Sequence, residues 1–114
     1  MVNKIAMVEL NYDPEIHPFE LAEIKGGFHP LITVIINGIE VVALIDTGAN
    51  ISCHNMFGET VVTTYLRIGN MVFQGKMPYY KIAGDYKLII GSDILRKTNA
   101  IIDYRLRKIT FHRV

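Results

Sequence analysis

The chain has one cysteine, no tryptophan, four prolines and no long apolar run. A single thiol, Cys53, excludes an internal disulfide and suits a reducing compartment or a fold that needs no covalent tie. The longest apolar run, Val41 to Ile45, is far too short for the roughly 20 residues of a bilayer-spanning helix. Residues 1–10 carry Asn3, Lys4 and Glu9 and lack an apolar core, so no signal peptide is expected. Charge of one sign is also missing, with 12 Lys and Arg against 11 Asp and Glu. That leaves no electrostatic case for nucleic acid or an anionic membrane. Cys53-His54 has no second cysteine beside it, and His17, His29 and His112 show no ligand spacing. Neither a metal site nor a nucleophilic cysteine is expected.

What is present is short strands and tight turns. Half of the 114 residues are apolar, enough for one globular domain and not for two. Residues 3–10 read as a strand, and Asn11-Tyr12-Asp13-Pro14 as a turn. Glu15 to Lys25 fits either a turn or two of helix or an extended arm. From Pro30 the pattern is clear. Leu31–Ile36 is rich in β-branched residues, Asn37-Gly38 is a strong hairpin signal, and Ile39–Ile45 returns as the partner strand. Residues 51–58 are a mixed connection. Residues 59–68 and 71–77 read as strands around Gly69-Asn70, and 79–86 as a loop. Lys87–Ile90 is a short buried strand. Ser92-Asp93 is expected to cap a short helix over 94–98. Residues 100–104 and 108–112 pair across Arg105-Leu106-Arg107. The fold class is mostly β, a closed barrel or sandwich with one short C-terminal helix.

The chemistry lies in Ala43-Leu44-Ile45-Asp46-Thr47-Gly48-Ala49-Asn50. A carboxylate directly behind an apolar strand is costly to bury unless it is hydrogen-bonded or has a task. Gly48 permits a backbone turn that a larger residue resists. Asp46 therefore reads as a catalytic aspartate on a tight loop, mounted on a rigid hairpin strand. The alternative, a structural turn aspartate, is the better reading for Asp103, and a helix-start role is the better one for Asp93. The basic cluster Arg105, Arg107, Lys108 and Arg113 reads as a solvated hairpin, and Met56-Phe57 as core or pocket lining.

Asp46-Thr47-Gly48-Ala49 behind an Asn-Gly hairpin, followed by Leu88-Ile89-Ile90-Gly91 and a short helix, resembles the retropepsins, the retroviral-type aspartic proteases. The match covers roughly residues 28–112, leaving 1–27 as an N-terminal arm and 28–114 as the protease domain. The run Ile101-Ile102-Asp103-Tyr104-Arg105-Leu106-Arg107 looks most like proteases of plant pararetroviruses and Ty3/gypsy-type elements. The resemblance implies an aspartic endopeptidase of a viral or retroelement polyprotein, in host cytoplasm or virus particle, with no metal or organic cofactor. Such chemistry needs two carboxyls on one water, sharing a proton. One Asp-Thr-Gly per chain then implies a homodimer with Asp46 and its mate at the two-fold axis. By the same resemblance Thr47 bonds across to the other subunit's loop, and Gly48, Ala49 and Asn50 meet substrate. Gly91 packs on the active-site loop, with Ile89 and Ile90 as support and pocket wall. Lys4–Leu10 or Lys108–Arg113 are the strands expected to interleave at the interface.

Two departures stand out. Family members that link an Asp past the catalytic loop to an Arg after the Ile-Ile-Gly glycine have Asn50 and Ser92 at those places here. A neutral, weaker hydrogen bond is expected instead. And only residues 51–62 remain where a further strand and a glycine-rich flap belong. Three accounts stay open: the flap was removed or omitted from this chain, the natural flap is very short, or Gly69-Asn70 is the flap tip. A flap-shortened dimerisation or scaffold module with little catalysis is the alternative function.

Overall fold

A computed structural model describes residues 6–9 and 14–112. Strands β1 (Ala6–Glu9), β2 (Glu15–Pro18) and β3 (Glu20–Ile24) precede the long β4 (Gly27–Ile36) and β5 (Ile39–Ile45). Then come β6 (Cys53–His54), β7 (Val62–Ile68), β8 (Met71–Met77) and β9 (Leu88–Ile90). The helix α1 (Ser92–Lys97) leads to β10 (Ile101–Asp103) and β11 (Lys108–Phe111). The larger sheet runs β1-β8-β7-β4-β5-β9-β6, with β3 alongside β4. A smaller sheet runs β10-β11-β2. The result is a mostly β, barrel-like domain with one short helix. Among the described residues no helix is long and apolar enough to cross a membrane.

Alternation positions the core. On β4, Ile32, Val34 and Ile36 are buried, while Thr33 and Ile35 are exposed, as a strand with one face on a core requires. Asn37 and Gly38 both take positive φ, +48° and +81°, the two-residue turn that fixes the β4–β5 register. The main core gathers Ile32, Val34, Ile36, Ala43, Ile45, Leu66, Phe73, Ile90, Ile94 and Phe111. A second, smaller cluster lies on another face: Leu44, Cys53, Ile82 and Ile89, flanked by Ile24, Leu31, Ala49 and Tyr86.

Several expectations change. Of the two readings of Glu15 to Lys25 the helix gives way to the extended one, as paired strands: β2 pairs with β11, and β3 pairs with β4. Phe19 between them is buried in the main core, which ties this segment to the domain. The strand expected to begin at Glu59 begins at Val62, because the preceding residues are held by His54. Over Lys108–Phe111 this stretch is not a free edge: β11 has β10 on one side and β2 on the other. In the larger sheet β1 is terminal, paired with β8 alone. Residues 3–5 and 10–13 of the expected first strand and turn, and Arg113, lie outside the described residues.

Candidate active site

Asp46 stands at the end of β5, where a buried strand becomes an exposed loop. β5 is locked between β4, its antiparallel hairpin partner, and β9, which it meets in parallel (Leu44 with Ile89, Ile45 with Ile90). The ladder continues one step, since the Asp46 N–H donates to the Ile90 carbonyl at 3.0 Å. The chain then turns sharply. The Ala49 N–H donates to the Asp46 carbonyl at 3.2 Å, and the Gly48 N–H to Asp46 Oδ1 at 3.0 Å. The carboxylate is half-buried, with its second oxygen unengaged within the described chain. Thr47, Gly48 and Asn50 are exposed, and the Thr47 hydroxyl meets no partner among the described residues.

The loop is held from behind by the start of α1. Gly91 is fully enclosed, and a Cβ there would sit 2.7 Å from the Ala49 carbonyl oxygen and 3.0 Å from the Ile51 carbonyl carbon. Only glycine lets the two segments approach this closely. The Ser92 N–H donates to the Ala49 carbonyl at 2.7 Å. Ser52, buried, is the hub: its N–H donates to both Asp93 carboxylate oxygens at 3.1 and 3.0 Å, and its hydroxyl donates to Asp93 Oδ1 at 2.6 Å. Its Oγ in turn accepts the Gly91 N–H at 2.9 Å.

This network moves the expected tie by a few residues. Between Asn50 and Ser92 there is only a long contact, Ser92 Oγ to the Asn50 carbonyl at 3.5 Å. The strong link is Ser52–Asp93, and it is charge-assisted. Asp93 lies in the first turn of the helix, but it is not the helix cap. Gly91 occupies that position without a side-chain bond, while the Asp93 carboxylate faces Ser52 and its own neighbour's N–H, that of Ile94. Sequence spacing gave no signal for this pair, since 41 residues separate its members.

The two isoleucines of Ile89-Ile90 part company. Ile89 joins Ala49 in the second cluster beside Asp46, whereas Ile90 points to the opposite face and is sealed in the main core. Ile90 is therefore support and not pocket wall. Cys53 belongs to the second cluster. Burial pushes its thiol up to about 11, and the negative charges of Asp93 and Asp46 add to that. It is a small apolar filler, the opposite of an activated nucleophile. Among the described residues, no three His, Cys, Asp or Glu side chains gather as a metal site would need.

Beyond β6 lies the segment where a flap was in question. His54 is fully buried and organises it. Its Nε2 lies 2.7 Å from the Thr60 carbonyl, so that nitrogen carries the proton and donates. Its Nδ1 faces the N–H groups of Met56 and Phe57, each at 3.4 Å. The ring also meets Phe57 and Tyr79 edge-on or tilted, at 5.4 and 6.1 Å between centroids. Backbone bonds to Pro78, Tyr80 and Lys87 complete the anchorage. The connection closes on itself and sends no hairpin over Asp46. Nor is Gly69-Asn70 a flap tip. The Asn70 N–H donates to both Glu15 carboxylate oxygens at 2.9 and 3.1 Å, and a side chain at Gly69 would collide with Glu15 and His17. That turn is latched to β2.

No protein-family model matches the chain, and no curated protein matches it. Solved structures do. The retroviral protease-like domain of Ddi1 from Leishmania major shares 21% identity at a TM-score of 0.51, over 71% of this chain and 88% of that one. A retropepsin-like aspartic protease from Rickettsia conorii shares 15% identity at a TM-score of 0.58, over 92% of this chain and 96% of that one. The fold is retropepsin-like.

Proposed function

We propose that this chain is an aspartic endopeptidase whose active site is completed by a second copy of itself. The observation that carries the reading is the Asp46 loop. It is braced rigidly from behind by Gly91, Ser52 and Asp93, yet it leaves the second Asp46 carboxylate oxygen and the Thr47 hydroxyl without a partner within the described chain. A single carboxyl is half of what water-mediated peptide hydrolysis requires. In the dimer, one Asp46 holds a proton and polarises the scissile carbonyl while its mate takes the proton of the attacking water. Sharing one proton between the pair favours mildly acidic pH. Thr47 of each copy ties the loops together, and Gly48, Ala49, Asn50 and Ile89 border the substrate. We further propose a polyprotein substrate of viral or retroelement type, processed in host cytoplasm or the virus particle.

The test is Asp46→Asn in a peptide-cleavage assay across pH 4–7. Cleavage should fall by at least about a thousandfold, the scale of losing a catalytic group that acts as a unit with its mate. Persistence of cleavage in that variant would end the proposal. A second reading, a dimerising scaffold without catalysis, draws on one observation: the connection closed by His54 provides no roof over the site. If the wild-type chain sediments as a dimer and cleaves no member of a broad peptide library, that second reading replaces the first.

A further inference from the structure

β9 is only three residues long, and the chain on both sides of it keeps going. Its pairing with β5 starts at Ala43 with Leu88, and its pairing with β6 reaches His54 with Leu88. One step further, the Asn55 N–H donates to the Lys87 carbonyl at 2.8 Å. Beyond Lys87 the track of β9 is vacant. β5 still extends back to Ile39 on one side, and residues 55–59 continue on the other. Walls placed so stand two strand spacings apart, about 10 Å. The gap is an open slot of about 530 Å³, bordered by Ile39 and Val41 of β5, by Met56 and Glu59 of the connection, and by Tyr79 and Lys87.

The β5 wall of this slot is a bare sheet edge. The Asn37-Gly38 turn makes Ile36 and Ile39 a bonded pair, so the odd-numbered residues of β5 aim their polar groups at β4 and the even-numbered ones at β9. The Asp46 bond to Ile90 keeps the same phase. Glu40 and Val42 are even-numbered, exposed, and upstream of the first β9 partner. The Glu40 N–H and C=O and the Val42 N–H meet no partner among the described residues. Beside this edge the slot is apolar. Ile39 and Val41 share the core-facing side of β5 with Ala43 and Ile45. Val41 and Met56 pack at the margin of the main core, and Ile39 is 47% exposed.

We propose that this slot binds the carboxyl-terminal end of another polypeptide, added as a parallel strand in the vacant track of β9. Such a strand continues the β5–β9 ladder. Its last residue donates its N–H to the Glu40 carbonyl and presents its carboxylate to the Val42 N–H. The residue two before it offers its carbonyl to the Glu40 N–H. These two ligand residues lie level with Val41 and Ile39 and lay apolar side chains on them and on Met56. The chain ends there, because Lys87 holds the next position of the track. A negative charge belongs at that position: Lys87 borders the slot and makes no ion pair among the described residues. An antiparallel chain would bring its ammonium to Lys87 instead. Glu59, the other charge on the slot, suits a basic residue earlier in the ligand. The site is separate from Asp46, which lies four residues past Val42, about 13 Å along a strand. It does not depend on the endopeptidase reading.

The experiment measures binding of the fluorescein-labelled peptide Gly-Lys-Ser-Val-Thr-Val by fluorescence polarisation, with amide exchange followed in the complex. The free acid should bind with a Kd of about 0.1 mM and slow exchange at Glu40 and Val42 about tenfold. Its C-terminal amide, and the protein variant Lys87→Glu, should each weaken binding about tenfold. A peptide N-methylated at its last residue cannot donate to the Glu40 carbonyl and should not bind. Ile101→Lys, at an exposed position on the smaller sheet, should bind as wild type does. No binding of the free acid at about 1 mM, or equal binding of its amide, overturns the proposal. Protection at residues 46–50 in place of Glu40 and Val42 puts the peptide in the cleft; it overturns the proposal and leaves the endopeptidase reading standing. Protection of Glu40 and Val42 that grows with protein concentration, without peptide, makes the slot a contact between copies and also overturns it.

Discussion

On either side of β6 lie two loops that solve opposite problems. The loop at 46–52 is braced from behind and open in front. Ser52 and Asp93 satisfy its rear, and Gly91 lets the helix start press against it, while Asp46 and Thr47 keep polar groups turned outward. The connection at 55–61 is satisfied by its own members and by the strands beneath it. His54 is sealed, its two ring nitrogens consumed by Thr60, Met56 and Phe57. The difference teaches what each loop is for. A rigid loop with unspent polar groups is built to meet another molecule. One pinned by a buried histidine whose two ring nitrogens are both engaged is a closed connection.

The largest blow to the braced loop is Gly91→Ala. The added methyl has no room against the Ala49 and Ile51 backbone, and backbone cannot swing aside as a side chain can. A loss of about 3 kcal/mol is expected, the upper range for overpacking, read by urea denaturation. Wild-type stability in that variant would show that the loop is not clamped. Asp93→Ala is next. It strips three bonds from Ser52, one of them at 2.6 Å, and should cost about 2–3 kcal/mol on the scale of hydrogen bonds to a charged group. Asn50→Ala, whose side chain makes no bond within the described chain, should change stability by less than about 0.5 kcal/mol. Equal effects of the two would return the tie to Asn50.

The closed connection is tested by His54→Leu, which keeps the bulk and orphans the Thr60 carbonyl. A cost of about 1–3 kcal/mol is expected for the unsatisfied group. Faster amide exchange at Met56 and Phe57, with the Asp46 loop unchanged, would show that the two loops are independent. The smallest effect concerns Cys53. Its thiol is raised from 9.0 to about 11, so the folded state holds the proton more tightly than the unfolded one. Stability from this group is intact below pH 9, falls as pH climbs from 9.0 towards 11, and gives no acid-side dependence. Alkylation by iodoacetamide at pH 8 should be slow until urea unfolds the chain; rapid labelling of the native protein would contradict the burial.

Much of this was readable in the residues. The Asn37-Gly38 turn, the β-branched run Leu31–Ile36 and the acid after Ala43-Leu44-Ile45 are local signals, and each produced the element expected. The resemblance carried by Asp46-Thr47-Gly48 and Ile89-Ile90-Gly91 led to the right fold. Less was readable where partners are remote. Ser52 and Asp93, or Glu15 and Asn70, stand 41 and 55 residues apart, and nothing in either member announces the other. Glu15 to Lys25 was ambiguous for a related reason: Pro18 interrupts its pattern, and only pairing with β11 and β4 makes it two strands.

By itself the sequence determined most of the strand and turn pattern from Leu31 onward, the position of the candidate aspartate, and the shortage of residues for a flap. These follow from short-range sterics, from hydrophobic period and from counting. Tertiary structure decided which face Ile89 and Ile90 take, that Ser52 and Asp93 hold the loop, that His54 closes the short connection, and that β9 starts too late to cover the β5 edge at Glu40. Those depend on register and on hydrogen bonds between segments distant in the chain. A single residue's chemistry allows such pairings, and only the assembled sheet chooses among them.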